Sequence, residues 1–228
     1  MSYLLVAHGT RKAEGVTMVG QLAERVAGLL HRPVHVAFVD VLGPTPQEML
    51  RALPADAPVT VVPAFLASGY HVRVDLPAHV ASSGHRAVTV TAPLGPCAGT
   101  VQVLSQRLVE CGWRPGDTVL LAAAGTSDAH AQSDLRRTAA TLSATIGDRV
   151  ELAYAATGAP AVADAVAALR RDGARRVVLA SYLLADGLFQ DRLRASGADR
   201  VAEPLGDHPA MVRLIANRFK RARIRLAA

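Results

Sequence analysis

The stretch LLVAHGT at residues 4–10 decides the fold, because LLAAAGT at residues 120–126 repeats it 116 positions later. Each stretch is an apolar run that ends in small residues, as a buried strand does where it enters a turn. Three more pairs follow in the same order at nearly the same offset, AFVDVLGP (37–44) with AYAATGAP (153–160), FLASGYH (65–71) with LLADGLF (183–189), and APLG (92–95) with EPLG (203–206). The sequence therefore predicts a duplicated unit, with lobes at residues 1–113 and 117–228.

Short apolar runs alternate with amphipathic helical patterns along both halves of the chain. The predicted strands are residues 3–7, 34–39, 59–66 and 87–92 in the first half, and 118–124, 150–155, 176–184 and 200–203 in the second. Between the strands, apolar residues recur at three- and four-residue steps, as at Val16, Val19 and Leu22. This alternation is typical of a parallel sheet covered by helices on both faces, so we expect an α/β fold of two similar doubly wound lobes.

The composition indicates a folded protein whose positive charge is confined to one end. Half of the residues are hydrophobic and 19% are charged, which is enough apolar material for a large core. The net charge of +6 lies entirely in residues 211–228, which carry six basic residues and no acid. Such a helix end is able to touch nucleic acid or a membrane, but a solvated helix is the preferred interpretation, so we predict neither partner.

Two cysteines without CxxC spacing, Cys97 and Cys111, are typical of a protein in a reducing compartment. The first residues lack the basic region of a signal peptide, and no apolar run approaches the ~18 residues of a membrane span. We therefore predict a cytoplasmic protein.

Polar side chains follow the first three predicted strands. His8, Asp40 and His71 come at or just after the carboxyl ends of these strands, where open parallel sheets bind their ligands. The second half carries apolar residues at the matching positions, which are Ala124, Ala156 and Phe189. Because the second copy is expected to fold without these polar groups, their presence in the first copy favours a function over a structural need.

Two imidazoles and a carboxylate suit a divalent first-row metal, and three protein ligands would leave coordination positions open for chemistry. Each residue also has a structural interpretation: His8 as a strand-end group bonded to backbone, and Asp40 as a helix cap or turn residue. The chain lacks the glycine-rich phosphate loops GxxxxGK[ST] and GxGxxG, which disfavours a nucleotide-binding regulator.

Three segments together resemble a known family. HGTR (8–11), FVDVLGPTP (38–46) and PAFLASGYHVRVDL (63–76) are similar to motifs of the class II tetrapyrrole chelatases, the sirohydrochlorin cobaltochelatase and ferrochelatase group. Thr10 stands where typical members have Ser, and Asp40 where many have Glu. The similarity covers nearly the whole chain and indicates the long, internally duplicated form.

The resemblance implies an active site in a cleft between the lobes, no ATP and no organic cofactor. It implies that a divalent metal, Co²⁺ or Fe²⁺, is a substrate which His8 and His71 hold above the macrocycle. Asp40, or Glu48 from the following helix, would accept pyrrole protons or orient an imidazole. The candidates for binding the carboxylate-rich macrocycle are Thr10, Arg11, Ser68, Gly69, Tyr70 and Arg73.

Two questions stay open at this point. A non-catalytic carrier of a tetrapyrrole or a metal would use the same lobes, and the ligand types fit iron, cobalt and nickel alike, whether for siroheme or for cobalamin. The duplication supplies within one chain what a shorter homologue needs a dimer to make, so we predict a monomer.

Overall fold

The computed structural model describes residues 1–10, 12–206 and 208–227, of which 225–227 are described by their backbone alone. The strands are β1 (Ser2–Ala7), β2 (Val34–Phe38), β3 (Val59–Pro63), β4 (Val88–Val90), β5 (Thr118–Gly125), β6 (Val150–Thr157), β7 (Val177–Tyr182) and β8 (Arg200–Val201). The helices are α1 (Ala13–Leu30), α2 (Pro46–Ala52), α3 (Leu76–Ser83), α4 (Ala98–Glu110), α5 (Ala129–Ile146), α6 (Val162–Arg171), α7 (Leu188–Arg194) and α8 (Pro209–Ala227). All eight predicted strands are present.

The strands form two parallel sheets of the same topology. The first has the order β2-β1-β3-β4 and the second the order β6-β5-β7-β8. In each sheet the chain winds to one side of the first strand and then to the other, so the direction of winding reverses beside β1 and beside β5. A crevice at the carboxyl end of the strands forms at such a reversal, and this is where open α/β sheets bind ligands.

Burial of the central strands explains why their sequences are unbroken apolar runs. Tyr3 to Ala7 of β1 are at most 2% exposed, because helices cover both faces of the sheet. The first core joins Leu4, Val6 and Val61 with Leu50 of α2 and Leu76 of α3. The second core is built in the same way, with Leu120, Val177 and Leu179 at its centre.

Five strands end earlier than predicted, namely β2, β3, β4, β7 and β8. We expected β3 to reach residue 66, but it ends at Pro63, and Phe65 and Leu66 lie half-buried in the following loop. The reason is the short edge strand β4, whose pairing with β3 stops at Val61, so the chain beyond has lost its partner on that side. In the second half β7 likewise ends at Tyr182, before the predicted residue 184.

The chain folds into two compact units that differ from the predicted lobes 1–113 and 117–228. One unit is Met1–Leu94 with Gly206–Ala228, and the other is Gly95–Leu205. The cause is the packing of the last helix of each repeat: α4 packs on α5 and β7, whereas α8 packs on α1 and β3. Each repeat therefore contributes its last helix to the unit that is built mainly from the other repeat.

Equivalent arginines fasten these two helices. Arg218 of α8 donates from Nη2 to the carbonyl of Pro93 at 3.1 Å. Arg107 of α4 donates from Nε to the carbonyl of Pro204, also at 3.1 Å. Both prolines belong to the repeated P-L-G segment, so the same contact holds the last helix in each unit.

No helix in the described part of the chain combines the length and the apolar character that a membrane crossing requires.

Candidate metal-binding site at the edge of the first sheet

His8 lies directly after β1, on the exposed carboxyl edge of the sheet. Gly9 follows with φ of 95°, and a side chain there would collide with the carbonyl oxygen of Asp40, so only glycine permits this turn. The Nδ1 of His8 lies 3.2 Å from the carbonyl oxygen of Gly9. Because a carbonyl only accepts, Nδ1 carries the proton in this hydrogen bond and Nε2 keeps its lone pair for a ligand.

His71 begins a π-helical turn, His71–Asp75, between the β3 loop and α3. Such turns are rare and occur frequently at functional sites. The His71 Nδ1 lies 2.5 Å from Oδ2 of Asp75, one helical turn later, and the His71 side chain is 34% exposed. A carboxylate on Nδ1 fixes the ring and the tautomer and makes Nε2 a better metal ligand.

The two imidazoles meet edge to face. Their ring centroids are 4.6 Å apart with an interplanar angle of 86°. The Phe65 ring stacks against His71 on another side, at a centroid distance of 6.1 Å, which restricts its movement. The structure thus brings together the two residues that the sequence singled out most strongly, each with Nδ1 engaged and Nε2 available to a borderline metal.

Asp40 does not join the histidines as a third ligand. It lies at the same edge, and its backbone N–H donates to the carbonyl of His8 at 3.1 Å. Its Oδ1 accepts the N–H of Val41 at 2.7 Å, in a turn where Val41 has a φ of 70°. Among the described residues no group of three histidines, cysteines or carboxylates is placed to hold one ion. The expected set of three protein ligands is therefore not assembled.

Glu48 has a structural role, and it does not orient an imidazole. Its Oε2 accepts from the N–H of Thr45 at 2.8 Å and from the Thr45 hydroxyl at 3.0 Å, while its own N–H donates back to that hydroxyl. This is a capping box that starts α2. The backbone hydrogen bond from Thr45 is the main reason that the pKa of Glu48 is lowered.

The carboxylate that orients His71 is Asp75, which was not among the predicted site residues although it belongs to the HVRVD motif. The signal was available, because residues i and i+4 face each other on a helix and the motif spaces a histidine and an aspartate by four. The residues predicted to orient an imidazole were instead Asp40, at a strand end, and Glu48, in the following helix.

The predicted substrate-binding residues occupy different places around this pair. The Thr10 hydroxyl accepts the N–H of Lys12 at 3.2 Å, which shapes the turn into α1. Gly69 offers its carbonyl to the N–H groups of Val72 and Arg73, at 3.1 Å each. Half-buried Ser68 and exposed Tyr70 and Arg73 lie in the same loop and turn. Arg11 lies outside the described residues.

Tyr70 stands out among these candidates. It is 58% exposed, which is unusual for an aromatic side chain, and its ring approaches His71 edge to face at 6.3 Å. An exposed ring beside the two imidazoles offers an apolar surface to a flat ligand.

Comparison with known proteins identifies the family. The family model of CbiX matches residues 2–111 and again residues 118–222, which together make up almost the whole chain. The chain belongs to the CbiX family. The double match confirms the internal duplication, and the predicted kinship with the sirohydrochlorin chelatases is confirmed with it.

Three solved structures share this CbiX-family fold over nearly their whole length. SirB from Bacillus subtilis with Fe3+ has a TM-score of 0.84 and 19% sequence identity, covering 96% of this chain and 94% of SirB. The sirohydrochlorin chelatase SirB from Bacillus subtilis subspecies spizizenii, in complex with cobalt, has a TM-score of 0.77 and 20% identity, with coverage of 96% and 94%. CbiX, described as the terminal enzyme for biosynthesis of siroheme in denitrifying bacteria, has a TM-score of 0.74 and 25% identity, with coverage of 97% and 99%.

These likenesses confirm the predicted α/β fold with two similar parallel-sheet lobes. Among curated proteins, none matches this CbiX-family chain significantly.

Proposed function

We propose that the protein inserts Co²⁺ or Fe²⁺ into sirohydrochlorin without ATP. The observation that carries this proposal is the pair of imidazoles of His8 and His71, 4.6 Å apart at the edge of the first sheet. The cobalt and iron found with the related SirB structures support metal binding as the purpose of such a pair. In this proposal the metal is a substrate, and no organic cofactor takes part.

Insertion makes two demands on the protein. The incoming ion must lose water and be held at the face of the ring, and the macrocycle must release two pyrrole protons. The Nε2 atoms of His8 and His71 meet the first demand, because neutral imidazole binds borderline metals. Once the ion has passed to the ring, the freed Nε2 of one imidazole is able to accept a released proton, so one of the two serves the second demand.

Carboxylates complete the proposed machinery. Asp75 holds the His71 ring through the 2.5 Å contact on Nδ1, and we assign it a positioning role. Asp40 is exposed at the same edge, and with one of its oxygens bound to Val41 it is our candidate for receiving a released proton.

The carboxylates of sirohydrochlorin need hydrogen-bond donors, and its ring needs an apolar surface. Tyr70 is our candidate for the ring, and Arg73 for a carboxylate. Thr10, Ser68, Gly69 and Arg11 are the remaining candidates for polar contacts. We further propose a cytoplasmic monomer without nucleic-acid or membrane partners.

An absorbance assay tests the proposal. The purified protein is mixed with sirohydrochlorin and Co²⁺ or Fe²⁺ without ATP, and the spectrum of the metallated product is followed with a large excess of substrate. We expect many turnovers from the natural chain and none above background from His71→Ala. His130→Ala is the matched control, because His130 is exposed on α5.

Each outcome of this assay has a meaning. A spectral shift that stops at one equivalent of protein would show a carrier instead of an enzyme, and unchanged insertion by His71→Ala would refute the assigned role of His71. Competition between the two metals in the same assay then identifies the preferred one.

A further inference from the structure

The second sheet has an edge built from the same positions with different side chains. At a constant offset of 118, Leu188 corresponds to Tyr70, Phe189 to His71, and Arg192 to Val74. Leu188 is 56% exposed and Phe189 38% exposed, so the apolar surface seen at Tyr70 is kept here. The metal-binding imidazole is replaced by an aromatic ring, and a cation is added one helical turn later.

Arg192 is held in place without being neutralised. Its Nη1 donates to the carbonyl of Ala155 at 3.1 Å, and its guanidinium carbon lies 5.8 Å from the centre of the Phe189 ring. Within the described part of the chain, Arg192 forms no ion pair with a carboxylate. Guanidinium carries five N–H donors, and the Ala155 carbonyl takes one of them, so donors remain for a ligand.

The neighbouring arginine shows what a neutralised side chain looks like in the same helix. Arg194 contacts Asp186 at 2.8 Å, Glu203 at 3.0 Å and Asp191 at 3.7 Å. Three carboxylates thus surround Arg194, while Arg192, two residues before it, has a backbone carbonyl and a ring. The difference points to an external anion as the partner of Arg192.

We propose that Leu188, Phe189 and Arg192 form a binding surface for a flat, carboxylate-bearing macrocycle, in which Arg192 binds a carboxylate of the rim and the two apolar side chains cover the ring face. The surface takes part in no metal chemistry, since it carries no ligand for a metal. This inference rests on the proposed function, because it takes sirohydrochlorin as the occupant. Charge and polarity support that choice, because an exposed apolar surface beside a guanidinium matches an apolar ring with acidic substituents.

The test is a titration of the full-length protein with metal-free sirohydrochlorin, followed by its absorbance. We expect Arg192→Ala to raise the dissociation constant about tenfold, as loss of a charge-assisted hydrogen bond does. Arg192→Lys keeps the charge but loses the forked pair of donors, so its dissociation constant should lie between those of the natural chain and of Arg192→Ala. Added salt should weaken binding by the natural chain more than binding by Arg192→Ala.

Arg171→Ala is the matched control. Arg171 is also an exposed arginine of the second unit, but it ends α6 just before β7 and so lies at the opposite edge of the sheet. We expect it to bind sirohydrochlorin as the natural chain does. Circular dichroism of all variants checks that they are folded.

The outcomes separate this inference from the proposed function. If the natural chain inserts metal and Arg192→Ala has an unchanged dissociation constant and KM for sirohydrochlorin, this inference is overturned and the chelatase proposal stands. If the natural chain binds sirohydrochlorin more tightly than Arg192→Ala does but inserts no metal, the chelatase proposal is overturned and this inference is supported. Absence of any binding to the natural chain overturns both.

Discussion

The edges of the two sheets share their backbone and differ in their chemistry. Gly9, just after β1, and Gly125, the last residue of β5, have φ of 95° and 100°, and at both positions a side chain would collide with a backbone carbonyl at or just after the end of the next strand. The hydroxyls of Thr10 and Thr126 accept the N–H two residues later, at 3.2 and 3.0 Å. Both edges therefore keep the glycine and the threonine hydroxyl that this turn requires.

What the edges do not share is the set of groups able to bind a metal. His8 and His71 correspond to Ala124 and Phe189, and Asp75, which orients His71, corresponds to Leu193, a fully buried core residue. The polar groups that differ between the copies are the candidates for chemistry, whereas those that both copies keep serve the turn. Thr10 belongs to the second kind, since Thr126 makes the same hydrogen bond in the second copy.

The largest expected effect is a loss of metal insertion when the first sheet edge is given the residues of the second. The double variant His8→Ala, His71→Phe places the second copy's residues in the first, and we expect metal insertion to fall about a thousandfold or more. The thermal unfolding midpoint should change little, because the second unit folds with these residues. Insertion that survives in this variant would show that the comparison of the two edges does not identify the site.

Removing the carboxylate behind His71 should have the next largest effect. We expect Asp75→Asn to weaken Co²⁺ binding by about ten- to a hundredfold, as loss of a partner behind a ligating histidine does. The KM for sirohydrochlorin should stay the same, which distinguishes a positioning role from general damage. The control is Asp56→Asn, an exposed aspartate in a loop of the same unit, and equal Co²⁺ affinities of the two variants would contradict our assignment.

The reverse exchange should produce a weaker effect, a gain of metal binding in the second unit. Ala124→His combined with Phe189→His, on a background of His8→Ala and His71→Phe, should restore Co²⁺ binding seen by the visible absorption of the ion. We expect an affinity no better than that of Asp75→Asn, because Leu193 supplies no carboxylate to orient the new imidazole. Native affinity in this variant would mean that the orienting carboxylate is unimportant.

The smallest expected effect is a loss of stability on removal of a buried hydroxyl that the second repeat has and the first lacks. Tyr182, at the position of Ala64, is 3% exposed and hydrogen-bonds with Thr138 and Thr100, and burial raises its pKa to about 12. We expect Tyr182→Phe to lower the free energy of unfolding by about 1 kcal/mol at neutral pH.

The pH dependence of the same residue has a definite sign. In the unfolded chain tyrosine ionises near ~10, so the stability that protonated Tyr182 contributes is complete below this pH and is lost as the pH rises through about 12. Urea unfolding between these values should show a steeper loss for the natural chain than for Tyr182→Phe. Parallel curves would indicate that the hydroxyl is not buried.

Local patterns were sufficient to predict the elements and most of the candidate site. The eight strands and the helical spacing at Val16, Val19 and Leu22 followed from apolar periodicity, which depends on neighbours within a few residues. His8 and His71 followed from the contrast between copies. The roles of Asp40 and Glu48 were harder to predict. An acidic residue near a strand end stabilises a turn or a helix cap as readily as it contributes to a functional site, and the sequence does not distinguish these uses.

The sequence by itself determined that two parallel sheets of like topology would form and which sheet edge carries the candidate site, because the internal repeat and the hydrophobic pattern can be read directly from the order of the residues. Only the tertiary structure decided that α4 and α8 each join the unit formed mainly by the other repeat. That outcome depends on the direction in which the chain leaves each P-L-G segment. Contacts between distant residues set this direction, and no local pattern encodes them.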